Sequence, residues 1–226
     1  MKPLIIANWK MNPSTLAEAK NLFNKFKNLD VVICPSFCYL DSKIRPAGAR
    51  FILGAQNCHW EEKGAYTGEI SPKMLESLGV KYVIIGHSER RIHFQETDEI
   101  INKKLKTALE FGLIPILCIG EKEGEDAKAI VEKQLNEDLK EIAEDDIKKI
   151  IIAYEPVWAI GTGNFCEAEK AKETLEFIRG RINNKILYGG SVNSKTSADY
   201  MKSGFDGLLV GGASLDAEEF AKIVNG

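Results

Sequence analysis

Glu155 closes the apolar run Ile150-Ile151-Ile152-Ala153-Tyr154 and opens onto Pro156 and a segment that sets Val157, Trp158 and Ile160 beside Gly161 and Gly163. The run reads as a strand buried on both faces, and Pro156 must end its pairing because it has no N–H to give. A carboxylate beneath a loop with bare backbone N–H groups is placed to move protons under a closing lid. Other polar residues follow apolar runs in the same way. Asn8 and Lys10 stand two apart after 4–7, so their side chains leave one face. His87 follows Tyr82–Ile85; a helical turn beginning at Ser88 would disfavour positive charge on its ring and leave a neutral hydrogen-bond donor. Gly189-Gly190-Ser191 and Gly211-Gly212 follow the last two apolar runs, where backbone N–H groups suit an anion such as phosphate. Arg90 and Arg91 read as structural ion pairs with Glu69 or Glu89 in preference to phosphate binders. Cys118 reads as a small buried packing residue supporting the site; no histidine adjoins it to make it a nucleophile.

These residues need a scaffold that brings strand ends together. Apolar runs at 4–8, 31–34, 51–55, 82–86, 114–119, 150–154, 186–188 and 207–210 alternate with amphipathic stretches. Leu16, Ala19, Phe23 and Phe26 fall on one helical face, and Ala127, Val131, Leu135, Leu139 and Ile142 on another. Thr15 and Glu18 have capping-box spacing, and Ser71-Pro72 offers a cap followed by proline. Gly79, Gly112 and Gly204 stand where helices would stop. Strand–helix alternation implies the α/β class with a parallel sheet. Eight units without a linker favour a closed (β/α)₈ barrel, a single domain over 1–226, above an open doubly wound sheet. The open sheet would carry a glycine fingerprint in its first turn, and that turn reads Asn8-Trp9-Lys10-Met11-Asn12. Barrel strands deliver their C-terminal ends to one face, so the polar residues above converge there.

Composition narrows the function classes. A net charge of -3 and 44% hydrophobic residues give no basic footprint for nucleic acid or a membrane surface. No apolar run is long enough to span a bilayer, and the N-terminus lacks the pattern of a secretory signal. Five cysteines, an odd number, argue for free thiols in a reducing compartment such as the cytoplasm. Cys34 and Cys38 have no complementary Cys or His cluster to complete a metal site.

The segments Asn8-Trp9-Lys10-Met11-Asn12, Gly86-His87-Ser88-Glu89-Arg90-Arg91, 153–163, 188–192 and 211–215 resemble, in order and spacing, the signature segments of the triosephosphate isomerase family. The resemblance runs the length of the chain. It implies interconversion of dihydroxyacetone phosphate and glyceraldehyde 3-phosphate through an enediolate, with neither metal nor organic cofactor. On that resemblance Glu155 is the base, His87 the neutral electrophile, and Lys10 the cation that stabilises the enediolate and attracts phosphate. Asn8 would bind a substrate oxygen, Glu89 would position Lys10, and Gly161, Ser191, Gly211 and Gly212 would grip the phosphate. Loop 56–69, which begins at Gln56 and ends at Glu69, resembles the long third loop that enters a partner subunit. A homodimer is implied, with Thr67 near the loop's tip.

Two alternatives remain at the level of sequence: another phosphate-gripping barrel such as a sugar-phosphate epimerase, and a catalytically silent barrel used as a scaffold. Chelator sensitivity would favour the first; loss of Glu155, His87 or Lys10 would favour the second, and all three are present. The chain departs from the family in being shorter than the roughly 250 residues usual for such barrels. Its lid, 157–162, also ends differently: the family usually has Lys-Thr-Ala after the last lid glycine, where this chain has Asn164-Phe165-Cys166. The expected outcome is family-like chemistry with altered lid opening. Relaxation-dispersion measurements on the lid check this, and opening rates equal to those of a Lys-Thr-Ala revertant would contradict it.

Overall fold

A computed structural model describes residues 2–41, 43–161 and 165–226. Eight strands close a parallel barrel in sequence order: β1 (Leu4–Asn8), β2 (Val32–Cys34), β3 (Ile52–Ala55), β4 (Tyr82–Ile85), β5 (Ile114–Ile119), β6 (Ile151–Tyr154), β7 (Ile186–Tyr188) and β8 (Gly207–Val210). The helices between them are α1 (Leu16–Phe26), α2 (Pro72–Ser77), α3 (Ser88–His93), α4 (Asp98–Glu110), α5 (Ala127–Asp138), α6 (Glu144–Ile147), α7 (Ala168–Arg179), α8 (Ser197–Lys202) and α9 (Ala217–Asn225). Thr162, Gly163 and Asn164, on which part of the lid and hinge reading falls, lie outside the described residues.

Two apolar layers follow from the two-residue strand period. Ile6, Val32, Ile84, Ile116, Ile151 and Leu209 fill the barrel interior. Ile5, Ile33, Leu53, Val83, Leu117 and Ile152 face outward, into the layer shared with the helices. Extending the inward phase past each strand end sets the site. Ile6 leads to Asn8, Ile151 and Ala153 lead to Glu155, and Leu209 leads to Gly211. The register Asn8↔Cys34 and Ala7↔Val210 holds the ends of β1, β2 and β8 level.

The expected punctuation is present. Thr15 and Glu18 form a reciprocal capping box on α1, and Ser71 caps α2 ahead of Pro72. Gly79, Gly112 and Gly204 all have positive φ. Some boundaries differ. Val31, Phe51 and Ile150 are buried one residue before their strands, and Gly86 turns out of β4 at φ 74°. Leu16, in the first turn of α1, is about half-exposed, and Leu22 is buried alongside Ala19, Phe23 and Phe26. α5 ends at Asp138, so Leu139 and Ile142 pack on the core from beyond the helix.

The seam between β8 and β1 leaves no room for a side chain at Gly207. A Cβ there would lie 1.9 Å from the carbonyl oxygen of Leu4, and backbone cannot yield as a flexible side chain can. Gly207→Ala is expected to cost about 3 kcal/mol or more, or to prevent closure outright. Urea unfolding checks this, and a change within about 0.5 kcal/mol would contradict it.

Candidate active site

The turn after β1 is held from three sides. Lys10 has φ 53°, a left-handed conformation that a non-glycine residue adopts at a cost on the order of 1 kcal/mol. Its N–H donates to Asn8 Oδ1 at 3.0 Å. Its carbonyl accepts from Gln56 Nε2 at 2.8 Å and from Ser36 Oγ at 3.0 Å. Gln56 also donates to the Cys34 carbonyl at 2.9 Å, tying together the ends of β1, β2 and β3. The Lys10 ammonium then donates to Glu89 Oε1 at 2.5 Å. Burial opposes ionisation of Glu89, but the Lys10 ammonium outweighs it and holds the carboxyl below the usual range.

His87 caps α3. Its Nδ1 accepts the Glu89 N–H at 3.2 Å, which requires a neutral ring with the proton on Nε2. That Nε2 lies 3.3 Å from Glu155 Oε1, without the alignment of a hydrogen bond. The two arginines after α3 begins are structural, but with partners other than Glu69 and Glu89. Arg90 pairs with Glu96 at 2.6 Å, and Arg91 with Asp98 at 2.5 Å and Asp138 at 2.7 Å. Glu89 is taken by Lys10, while α3 and α4 aim both guanidinium groups at acids further along the chain.

Glu155 is 1% exposed. Its N–H bonds the Ile119 carbonyl at 2.8 Å, and its Oε2 accepts the Ser88 N–H at 2.9 Å. Glycines admit it on two sides. A Cβ on Gly120 would lie 1.8 Å from the Glu155 carbonyl oxygen, and one on Gly189 would lie 3.0 Å from Glu155 Cγ. Beyond Pro156, residues Val157–Ala159 form a single tight turn anchored on Glu121. The Val157 N–H donates to the Glu121 carbonyl at 2.9 Å, and Trp158 Nε1 donates to Glu121 Oε1 at 2.9 Å. Tyr154 Oη donates to Glu121 Oε2 at 3.1 Å, and burial raises the Glu121 carboxyl above its usual range. Ser191 reaches the same lid base, its N–H and Oγ both donating to the Ala159 carbonyl.

These elements enclose a cavity of about 220 Å³ at the C-terminal mouth of the barrel. Asn8, Lys10, His87, Gly161, Ser191 and Gly211 line it, with Gly212 beside Gly211. A Cβ on Gly211 would lie 3.1 Å from Lys10 Cε, so that glycine leaves room for the lysine. Glu155 is not in this lining; its carboxylate rests on Ser88 and borders a second cavity together with Cys118. Cys118 is fully buried, and burial pushes its thiol well above the usual range. The sequence reading gave no role to Ser36, Gly120 or Glu121, and placed Gln56, Ser88 and Gly189 only in the dimer loop, a helical turn and an anion-binding turn, without these contacts. Gln56 and Glu121 carry a readable signal, being polar residues one or two places after a strand.

The sequence model of the triosephosphate isomerase family matches residues 3–226. The chain is 50% identical to a triosephosphate isomerase of Clostridium botulinum (strain Loch Maree / Type A3), with all of both chains covered. It is 46% identical to one from Clostridium perfringens (strain SM101 / Type A), over 99% of this chain and 98% of the relative. It is also 46% identical to one from Alkaliphilus metalliredigens (strain QYMF), over 99% of each. The first alignment spreads these 226 residues over 248 positions, so the relative carries residues where this chain has been trimmed. A closed eight-strand barrel with Lys10, His87 and the glycine turns at its mouth, matched end to end by such relatives, belongs to the triosephosphate isomerase family.

Proposed function

We propose that the chain interconverts dihydroxyacetone phosphate and glyceraldehyde 3-phosphate in the 220 Å³ cavity, with Glu155, His87 and Lys10 as catalytic residues. The observation that carries this reading is the setting of His87, whose Nδ1 accepts the Glu89 N–H at 3.2 Å while its Nε2 lies 3.3 Å from the buried Glu155 carboxylate. The substrate phosphate would lie against the N–H groups of Gly161, Ser191, Gly211 and Gly212. Its carbonyl oxygen would take bonds from His87 Nε2–H, the Lys10 ammonium and Asn8. Glu155 would remove the proton from the adjacent carbon, forming the enediolate, and return it to the other carbon.

Each residue type follows from that chemistry. A carboxylate takes a proton α to a carbonyl only when the developing oxyanion is stabilised at once, and each oriented donor in a dry site contributes about 3 kcal/mol. A neutral imidazole can give a proton to one oxygen and take one from the other. Exclusion of water by the lid protects the enediolate from losing phosphate. Glu155 must first leave the Ser88 N–H and rotate toward the cavity of Lys10 and His87. The Glu121–Trp158 bond holds the near end of the lid while this happens.

We further propose a homodimer through loop 56–69. The loop has local order, with the His59 ring 4.6 Å from that of Tyr66. Met11, Tyr66, Met74 and Phe94 are exposed large apolar side chains, of the kind a second copy would cover. The reducing cytoplasm suits five free thiols, four of them buried. Among the described residues no helix is long and apolar enough to cross a membrane.

In a coupled assay on glyceraldehyde 3-phosphate, Glu155→Gln is expected to lose at least about 1,000-fold in kcat. Glu155→Asp, which keeps a carboxylate set back by one methylene, is expected to lose about 100-fold. Full activity in Glu155→Gln would overturn the mechanism. Sedimentation is expected to give twice the chain mass, with Phe94→Asp moving the protein toward monomer; a monomeric wild type would overturn the dimer.

A further inference from the structure

The two glycine turns assigned above to the substrate phosphate follow separate strands, β7 and β8. Those strands pair at Leu187↔Gly207 and Tyr188↔Leu208, so their ladder stops short of both turns. Beyond it, among the described residues, segments 189–194 and 211–219 are hydrogen-bonded to each other through one pair, Ser194 and Glu219. The Ser194 N–H donates to Glu219 Oε1 at 2.6 Å, and Ser194 Oγ donates to Glu219 Oε2 at 3.0 Å. One carboxylate takes both donors of a residue that stands shortly after Ser191. Both ends of this link are fixed. On the β8 side, Ser214 is buried, and its N–H and Oγ donate to the Gly211 carbonyl at 2.8 and 2.7 Å. Asp216 then caps α9 by accepting the Glu218 and Glu219 N–H groups, and Phe220 packs on Phe26 with ring centroids 5.0 Å apart. On the β7 side, Asn193 Oδ1 accepts the N–H groups of Lys195 and Thr196, and Ser191 is tied to the Ala159 carbonyl. The bonds from Ser194 hold the Glu219 carboxyl below the usual range, so it is ionised at neutral pH.

We infer that Glu219 is a positioning residue for the phosphate site, setting the separation of the Ser191 turn and the Gly211–Gly212 turn from the first turn of α9. A phosphate held between two turns needs their N–H groups at one spacing, because hydrogen bonds weaken steeply with misalignment. A small misplacement far from the chemistry is then felt in binding. The sign of the effect separates this role from simple electrostatics. The Glu219 charge can only repel phosphate, so its removal would by charge alone tighten phosphate binding. Loss of the link to Ser194 would weaken it. The inference rests on the assignment of the substrate phosphate to these two turns.

The test compares Glu219→Ala with Glu219→Gln in the full chain, with glyceraldehyde 3-phosphate as substrate and inorganic phosphate as the competing probe. Both variants lose the charge, but glutamine keeps an oxygen for the Ser194 N–H and offers its amide to the Ser194 hydroxyl. Glu219→Ala is expected to raise KM and the inhibition constant of phosphate about tenfold, with kcat within about twofold. Glu219→Gln is expected to stay within about threefold of the wild type in all three constants. Ser194→Ala, which removes one of the two bonds, replaces Glu219→Ala if that variant fails to fold, and is expected to raise both binding constants about threefold. Unchanged or tighter phosphate binding in the alanine variant, equal weakening in Glu219→Ala and Glu219→Gln, or a fall in kcat at unchanged KM would overturn the proposal. Nuclear magnetic resonance shifts of the Ser191, Gly211 and Gly212 amides, followed as phosphate is added to the wild type, test the assignment separately. If those amides do not move, the assignment of phosphate to these turns fails. If they move and Glu219→Ala binds phosphate as the wild type does, the positioning role alone fails.

Discussion

A carboxylate that is to act as a base must be taken out of water without being paired so well that it loses its basicity. The surroundings of Glu155 meet that constraint in an economical way. The side chain is 1% exposed and accepts one well-formed hydrogen bond, from the Ser88 N–H. No arginine or lysine pairs with it among the described contacts, and the nearest nitrogen of His87 is poorly aligned. The group is dry, and one backbone bond restrains it. Much of the neighbouring architecture keeps stronger partners elsewhere. Arg91 is turned toward Asp98 and Asp138, and Lys10 is bound to Glu89.

The barrel makes this possible through backbone. Glu155 stands in the inward phase of β6, between the ends of β5 and β7, and glycine is found at both neighbouring strand ends. A methyl group at Gly120 would strike the Glu155 carbonyl, so the approach of β5 and β6 depends on the missing side chain. Lys10 reaches the same mouth by a different device. It takes a left-handed turn that three hydrogen bonds hold, two of them from Gln56 and Ser36, just beyond the ends of β3 and β2. The turn of Lys10 and the close approach around Glu155 have separate origins, at the ends of β1 and β6, which are not neighbours in the barrel.

The alternation of apolar runs and amphipathic stretches made the barrel legible, because strand period and helix period are local properties of the chain. Strand ends were less so: Val31, Phe51 and Ile150 are as apolar and as buried as their strands, and only pairing distinguishes them. Asn8, Lys10, His87 and Glu155 could be picked out because each follows an apolar run. Ser88 could not, since its backbone N–H makes the contact and the side chain carries no signal. The partners of Arg90 and Arg91 escaped for another reason. Asp138 lies 47 residues from Arg91, on a helix whose packing depends on the closed barrel. The signals for Gln56 and Glu121 were present in their positions after β3 and β5, but one polar residue at a strand end does not say which backbone it will hold.

Glu155 is proposed to carry the proton between substrate carbons. Isomerisation in deuterium oxide, with the product followed by nuclear magnetic resonance, tests it most directly. Deuterium is expected at the carbon beside the carbonyl with the wild-type protein. None above background is expected with Glu155→Gln, although that variant should still bind inorganic phosphate. Deuterium entering at the wild-type rate in Glu155→Gln would rule Glu155 out as the proton carrier.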